Sequence, residues 1–265
     1  VLPNFPHGQL GRWRLDGRKL LITGASKGIG AAIADSALQL GADVWLVARS
    51  SAQLQQQQTE LQQRFPQQQV FFRAADLRDA DQRHDLVHDV QSQWQVLHGL
   101  INNVGSNLRK PALQYTLDEY RQLMELNLTT ALHLSQLAHP LLRSAAGASI
   151  VNIASVAGLC HLRTGVVYAM SKAAMLQMTR NLAVEWAGDG IRVNAIAPWY
   201  TDTPLARQVL ADADYRAEVL QRTPLGRIAS ATEVADAALF MAMPAAGFIT
   251  GTCLPVDGGM SVNGF

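Results

Sequence analysis

The octapeptide Thr23-Gly24-Ala25-Ser26-Lys27-Gly28-Ile29-Gly30 constrains this chain more than any other stretch. It closes the short apolar run Lys19-Leu20-Leu21-Ile22-Thr23. It also opens a segment in which Ile29, Ile33, Ala37 and Leu40 recur at helical spacing until Gly41. A second apolar run, Ala42 to Ala48, follows directly. Strand, glycine-rich turn, helix and strand make a βαβ unit. The glycines permit a tight turn and a close backbone approach, and the free N–H groups and dipole of the helix N-terminus attract pyrophosphate. The spacing is Gly-x-x-x-Gly-x-Gly rather than the commoner Gly-x-Gly-x-x-Gly. Gly24, Ser26, Lys27, Gly28, Ile29 and Gly30 are therefore expected to hold a dinucleotide.

The alternation continues to the end. Strands are expected at 70–74, 97–101, 150–153, 191–196 and 253–256. Helices are expected over 53–65 (Gln-rich, ended by Pro66), 81–94, 118–143, from Tyr168 to Trp186, over 205–221 and from Thr232 to Pro244. The Gln-rich helix reads as a solvated amphipathic face, with Leu54, Leu61 and Phe65 inward. Regular alternation predicts a Rossmann-type doubly wound parallel sheet of about seven strands with helices on both faces. The 265 residues suit one domain, 1–265, with an N-terminal arm over 1–14. A hydrophobic fraction of 48% is enough for a sizeable core. A net charge of +1, with both signs interspersed, favours neither nucleic acid nor a membrane surface as partner. No run of about 18 apolar residues could span a bilayer, and Val1 to Arg14 has no apolar signal-peptide core. Cys160 and Cys253 form no metal-ligand spacing and suit a reducing, cytoplasmic setting.

The end of the second strand bears on cofactor choice. An NAD site usually offers an acid there for the ribose 2′-hydroxyl. Here Ala48 is followed by Arg49 and Ser50, so nothing repels a 2′-phosphate, and Arg49 can fork onto one. With Lys27 in the glycine turn, the pattern points to NADP(H).

A second constellation lies between Ser155 and Lys172. Tyr168 and Lys172 are four residues apart, on one helix face. A cation beside a phenol is expected to lower its pKa from about 10 and make Tyr168 a proton donor near neutral pH. Ser155 follows the apolar run 150–153, and the carboxyl ends of such strands face the ligand crevice.

With these motifs in place, the chain resembles the short-chain dehydrogenase/reductase family, classical type, and within it the tropinone-reductase-like branch, from about Trp13 to Phe265. The glycine turn is similar to the family's cofactor turn. Asp76-Leu77 looks like its adenine-contacting pair, and Asn102-Asn103-Val104-Gly105 like its Asn-Asn-Ala-Gly segment with one substitution. Asn127, Ser155, Tyr168 and Lys172 fall where the family keeps its catalytic tetrad. Pro198 to Thr203 is similar to the segment along the nicotinamide. The cofactor set the resemblance implies thus extends to Asp76, Leu77, Asn103, Gly105, Tyr168, Lys172, Pro198 and Thr203. It implies reduction of a small ketone by hydride from NADPH. Ser155 holds the carbonyl, Tyr168 protonates the alkoxide, Lys172 binds the ribose, and Asn127 holds a relay water. It further implies a homotetramer or homodimer built on the 118–143 and 168–186 helices.

Trp199 and Thr201 depart from the family pattern, which has Gly and an apolar residue there. Both lie in a substrate-side segment over about 199–225. The pocket is expected to gather Asn107, Leu108, Arg109, Leu159, His161, Leu162, Trp199 and Tyr200, with Ser155 and Tyr168 at its base. Trp199 is either a packing cap or a substrate contact. Arg109 either points to solvent or faces the substrate, in which case protonated tropinone is disfavoured against neutral or anionic ketones. Two rival readings stand beside the first. A 3-oxoacyl-carrier-protein reductase would place arginines where Ala146 and Asp189 stand, and a non-catalytic NADPH-binding sensor would have a broken tetrad.

Overall fold

A computed structural model describes residues 8–264. Residues 1–7 of the expected arm and Phe265 lie outside the described residues; Gly8–Trp13 form a 3₁₀ turn that docks by stacking Trp13 on Phe240 at 5.6 Å. Seven parallel strands form one sheet in the order β3-β2-β1-β4-β5-β6-β7. They are β1 (Lys19–Thr23), β2 (Asp43–Ala48), β3 (Val70–Ala74), β4 (Gly99–Asn102), β5 (Ala148–Ile153), β6 (Ile191–Pro198) and β7 (Cys253–Val256). The order reverses direction between β1 and β4, so the chain parts there and leaves a crevice at the carboxyl ends of the strands.

Side-chain alternation explains the layers. Leu20, Ile22, Val44 and Leu46 pack on one face against α1 (Gly28–Gln39), α2 (Ser51–Arg64) and α9 (Ala231–Ala242). Leu21, Trp45 and Val47 point to the other face, against α3 (Ala80–Trp94), α5 (Thr130–Arg143) and α6 (Val166–Glu185). Strands covered on both faces read as continuous apolar runs, which is why they were legible. The Gln-rich helix α2 buries only Leu54 and Leu61, as its pattern predicted. It starts at Ser51 because the Ser50 side chain caps it, accepting from the Gln53 N–H.

Several boundaries shift by one or two residues, and three differences have a visible cause. β4 begins at Gly99 rather than Leu97, because the Leu97 N–H is taken by the Leu141 carbonyl of α5 (3.1 Å) rather than by a strand. The expected single helix over 118–143 is α4 (Leu117–Met124), a π turn over Glu125–Thr129, and α5. The π turn is held from outside. Buried Arg83 of α3 donates to Glu125 Oε1 at 2.8 Å and to the Leu77 carbonyl at 2.6 Å. Thr130 Oγ1 lies 2.9 Å from both the Leu77 and Glu125 carbonyl oxygens. The 205–221 segment is two helices, α7 (Pro204–Leu210) and α8 (Ala213–Gln221), because the Asp212 side chain caps a new start.

Candidate active site

The crevice is one cleft of about 1500 Å³. Its first half is the glycine turn. Gly24 and Gly28 take positive φ (65° and 60°), and the Lys27 side chain does not cap α1, so the first N–H groups of α1 are left to a ligand. Gly30 packs under the turn. A methyl there would stand 2.3 Å from the Gly24 carbonyl oxygen and 2.6 Å from Asn103 Nδ2. Gly30→Ala is therefore expected to cost about 1–3 kcal/mol of stability. It should also weaken dinucleotide binding, both readable by thermal melting and fluorescence titration. Unchanged melting and binding would contradict this packing.

Asn103 lines the cleft and also ties the glycine turn to β4. Its Nδ2 donates to the Thr23 and Gly24 carbonyls (2.9 and 3.2 Å), and its N–H and that of Val104 converge on Thr23 Oγ1. Both Nδ2 hydrogens fix the glycine turn to β4, and no hydrogen bond to Oδ1 occurs among the described residues. Arg49 and Lys27 are both exposed on the cleft wall, and Arg49 has no hydrogen-bond or ion-pair partner among the described residues. Ser50, Asp76, Leu77, Pro198 and Thr203 also line the cleft. Thr203 reaches back to the glycine turn, its Cγ2 3.3 Å from where a Gly28 methyl would sit. Sequence reading missed Arg78, whose guanidinium hydrogen-bonds Asp76 and, with added help from the Arg49 charge, holds that carboxyl below its ordinary range.

The second wall carries the reactive groups. Ser155 leaves β5 in extended backbone, and its Oγ accepts the Ala157 N–H (3.1 Å), which fixes the oxygen and leaves the proton free to donate. Tyr168 and Lys172 sit one turn apart on α6, with the ammonium 5.8 Å from the phenol ring centre. Lys172 is buried, and Nζ donates to the Ile153 carbonyl at 2.8 Å. Burial lowers its pKa from 10.5 to about 8. The expected lowering of the Tyr168 pKa is not found. Burial raises it, and the Ser155 hydroxyl and the Arg109 charge recover only part of the shift. The Lys172 charge is not among the groups that shift the phenol. The phenol is consequently neutral at pH 7, which is the form that can give up a proton.

Asn127 lies in the π turn and outside the cleft lining. Its amide clamps the Ser106 backbone, accepting from the N–H (2.9 Å) and donating to the carbonyl (3.0 Å), and it also donates to Ser171 Oγ. Gly105 separates it from Lys172: a methyl there would stand 3.2 Å from Asn127 Oδ1 and 3.4 Å from Lys172 Nζ.

The substrate end gathers Asn107, Leu108, Arg109, His161, Leu162, Trp199 and Tyr200, as expected. Leu159 is not among them. It is 41% exposed and lies outside the cleft, because the 3₁₀ turn Val156–Gly158 ends at it and turns it away. Trp199 is packed down and also lines the cleft. Its indole N–H donates to Thr223 Oγ1 (3.0 Å), packing the segment down, while its ring faces the cleft. Sequence reading also missed Tyr215 of α8, which meets Tyr200 hydroxyl to hydroxyl at 2.7 Å. The polar, coreless composition of 205–221 was the signal that this segment serves the cleft rather than the core. Among the described residues there is no cluster of metal-ligating side chains, and no helix is long and apolar enough to cross a membrane.

Comparison with known proteins agrees with this geometry. A family profile described as enoyl-(acyl carrier protein) reductase matches residues 24–261. Senescence-associated protein 13 of Arabidopsis thaliana is 44% identical over 259 residues, covering 97% of this chain and 95% of that protein. A tropinone reductase homolog of the same plant is 44% identical over 255 residues, 96% of this chain and 97% of the relative. Among solved structures, L-sorbose reductase from Gluconobacter frateurii, complexed with NADPH and L-sorbose, superposes with a TM-score of 0.88 at 28% identity, covering 94% of this chain and 98% of that one. Pseudomonas aeruginosa RhlG in a complex with NADP gives 0.89 at 31%, with the same coverage. A seven-stranded parallel sheet, a glycine-turn cleft and near-full-length relatives converge on one conclusion: the chain belongs to the short-chain dehydrogenase/reductase family, as an NAD(P)-dependent oxidoreductase of the CH–OH/C=O type in its tropinone-reductase-like branch.

Proposed function

We propose that this protein reduces a small ketone to an alcohol with NADPH, Tyr168 giving the proton. The observation that carries the reading is that Ser155, Tyr168 and Lys172 share one cleft wall, facing the glycine turn and Arg49 across the same cleft. When bound, the nicotinamide supplies the hydride. The remaining work belongs to the chain. The fixed Ser155 hydroxyl donates to the carbonyl oxygen, and such a donor aimed at developing negative charge is worth about 10²–10³ in rate. Tyr168, neutral at pH 7, passes its proton to the same oxygen as it becomes an alkoxide. Lys172 has two N–H donors left after Ile153, and these serve the ribose hydroxyls. Asn127 fixes the loop behind Lys172, where a relay water would sit. The cytoplasm suits the two free cysteines. Assembly as a homodimer or homotetramer through α4–α5 and α6 is supported by the exposed Val166, Met170 and Val184.

Preference for NADPH over NADH rests on Arg49, with Ala48 where an acid would bind the ribose. Arg49→Asp, which removes a fork and adds a repelling charge, is expected to raise the NADPH KM about 10²-fold and to leave the NADH KM nearly unchanged. Equal effects on both cofactors would remove Arg49 from that role.

The test of the whole reading is cofactor oxidation over a panel of ketones, NADPH against NADH. A carrier-bound 3-oxoacyl chain belongs in the same panel. Asp189, which pairs with His139 (2.9 Å) and Arg143 (3.3 Å), puts an acid where an acidic carrier would need a free cation. Faster turnover of the carrier-bound chain would favour the 3-oxoacyl reductase. NADPH binding without oxidation on any ketone would favour a sensor.

A further inference from the structure

Arg109, His161, Leu162 and Arg163 of the cleft also line a neighbouring cavity of about 500 Å³, whose lining includes Lys110 and no carboxylate. Two of these cations are already neutralised beside the cavity: Lys110 Nζ sits 2.5 Å from Glu119 Oε1, and Arg163 pairs with Glu218. Arg109 is not. It has no acidic partner among the described residues. Its one hydrogen bond goes to the Tyr200 hydroxyl at 3.0 Å. The guanidinium carbon lies 5.7 Å from the Tyr200 ring centre and 5.9 Å from that of Tyr215. The two rings hold the fork in place by cation–π attraction, and the hydroxyl-to-hydroxyl contact between them fixes their spacing. A guanidinium has five N–H donors, so most of this one's remain unused. A positioned, unpaired fork at the mouth of an acid-free cavity fits a planar oxyanion in two-point contact. Arg109 also lies within electrostatic reach of the reactive phenol, since its charge draws the Tyr168 pKa downward. Arg109, Ser155 and Tyr168 also line one continuous cleft, so the fork and the reactive groups face the same space.

We propose that this end of the cleft is an anion subsite, and that the ketone reduced carries a carboxylate which Arg109 holds while its carbonyl lies on Ser155 and Tyr168. This rests on the reductase reading and names its substrate class as oxo-acids. Tyr200 and Tyr215 are positioning residues for the fork. The class of reaction that consumes the product is one that acts on a hydroxy acid.

The experiment compares 4-oxocyclohexanecarboxylate with its methyl ester, the same ketone without the charge, by NADPH oxidation. The expected result is a higher kcat/KM for the acid, carried by KM. In Arg109→Met the acid-to-ester ratio is expected to fall by at least about 30-fold. Arg109→Lys, which keeps the charge without the fork, should recover part of it. Calorimetric titration with cyclohexanecarboxylate, which has no carbonyl to reduce, is run in parallel with and without NADP⁺. Its binding is expected to weaken in Arg109→Met by a similar factor, while thermal melting shows the fold intact. An ester reduced as well as the acid by the wild type, or a ratio and a titration unmoved by Arg109→Met, would overturn the proposal. If no ketone is turned over, the reductase reading falls, and the titration still decides whether the anion subsite exists.

Discussion

Tyr168→Phe is expected to cut ketone reduction by about 10²–10⁴-fold and to leave NADPH binding nearly intact. The phenol is the one group on the cleft wall poised to give a proton to the new alkoxide. Ser155 hydrogen-bonds the phenol with its oxygen fixed by the Ala157 N–H, and Lys172 is anchored on the Ile153 carbonyl, so both orient the site around Tyr168. Removing the hydroxyl deletes the proton and little volume, so the fold should persist. Burial keeps Tyr168 protonated beyond the ordinary phenol range. Its titration therefore does not limit the reaction at neutral pH. Stopped-flow oxidation of NADPH, with a fluorescence titration of the cofactor, separates the two effects. Near-wild-type turnover in the variant would falsify the assignment of the proton donor.

Lys172→Met is expected to lower turnover by about 10²-fold or more and at the same time not to destabilise the protein at pH 7. Burying the ammonium is costly. A pKa lowered from 10.5 to about 8 corresponds to roughly 3 kcal/mol against the folded state below pH 8. A group with a depressed folded pKa of this type holds fewer protons folded than unfolded between those two values. Its contribution to stability therefore rises with pH from about 8 to 10.5. Methionine fills the same volume without the charge, and the loss of one hydrogen bond to Ile153 offsets part of the gain. The melting temperature of the variant at pH 7 should match or exceed wild type, with the difference closing in the wild type's favour toward pH 10.5. Wild-type reduction should decline as pH rises through about 8, because the ammonium is then lost while Tyr168 is still protonated. The variant should lack that decline. A melting temperature several degrees lower at pH 7, or an unchanged alkaline limb, would count against a buried functional cation.

These two residues also show how far local pattern reaches. The four-residue spacing of Tyr168 and Lys172 puts them on one helix face whatever the rest of the chain does. Their electrostatics are another matter. The simple rule that a neighbouring cation lowers a phenol's pKa fails here because Lys172 is buried and Tyr168 half-buried, and desolvation acts on each. Asn127 is a similar case. Its place near the site follows from resemblance, but its bonds to Ser106 depend on a π turn held by Arg83 from another helix. The hydrophobic period of the 118–143 segment contains no sign of it. Leu159 shows the opposite limit: its nearness in sequence to Ser155 does not set whether it lines the cleft, and it lies outside the lining.

The sequence by itself determined the sheet, the glycine turn at its switch point, the cations beside it and the Ser155-Tyr168-Lys172 spacing. All of these are written in periodicities and short spacings that backbone geometry converts directly into position. Only the tertiary structure decided that Tyr200 and Tyr215 brace the Arg109 fork, that Asn103 ties the turn to β4, and that the phenol is half-buried. Residues 91 positions apart, as Arg109 and Tyr200 are, meet only when packed helices and loops bring them together. No local rule encodes that meeting, because it depends on the summed shape of the elements between them.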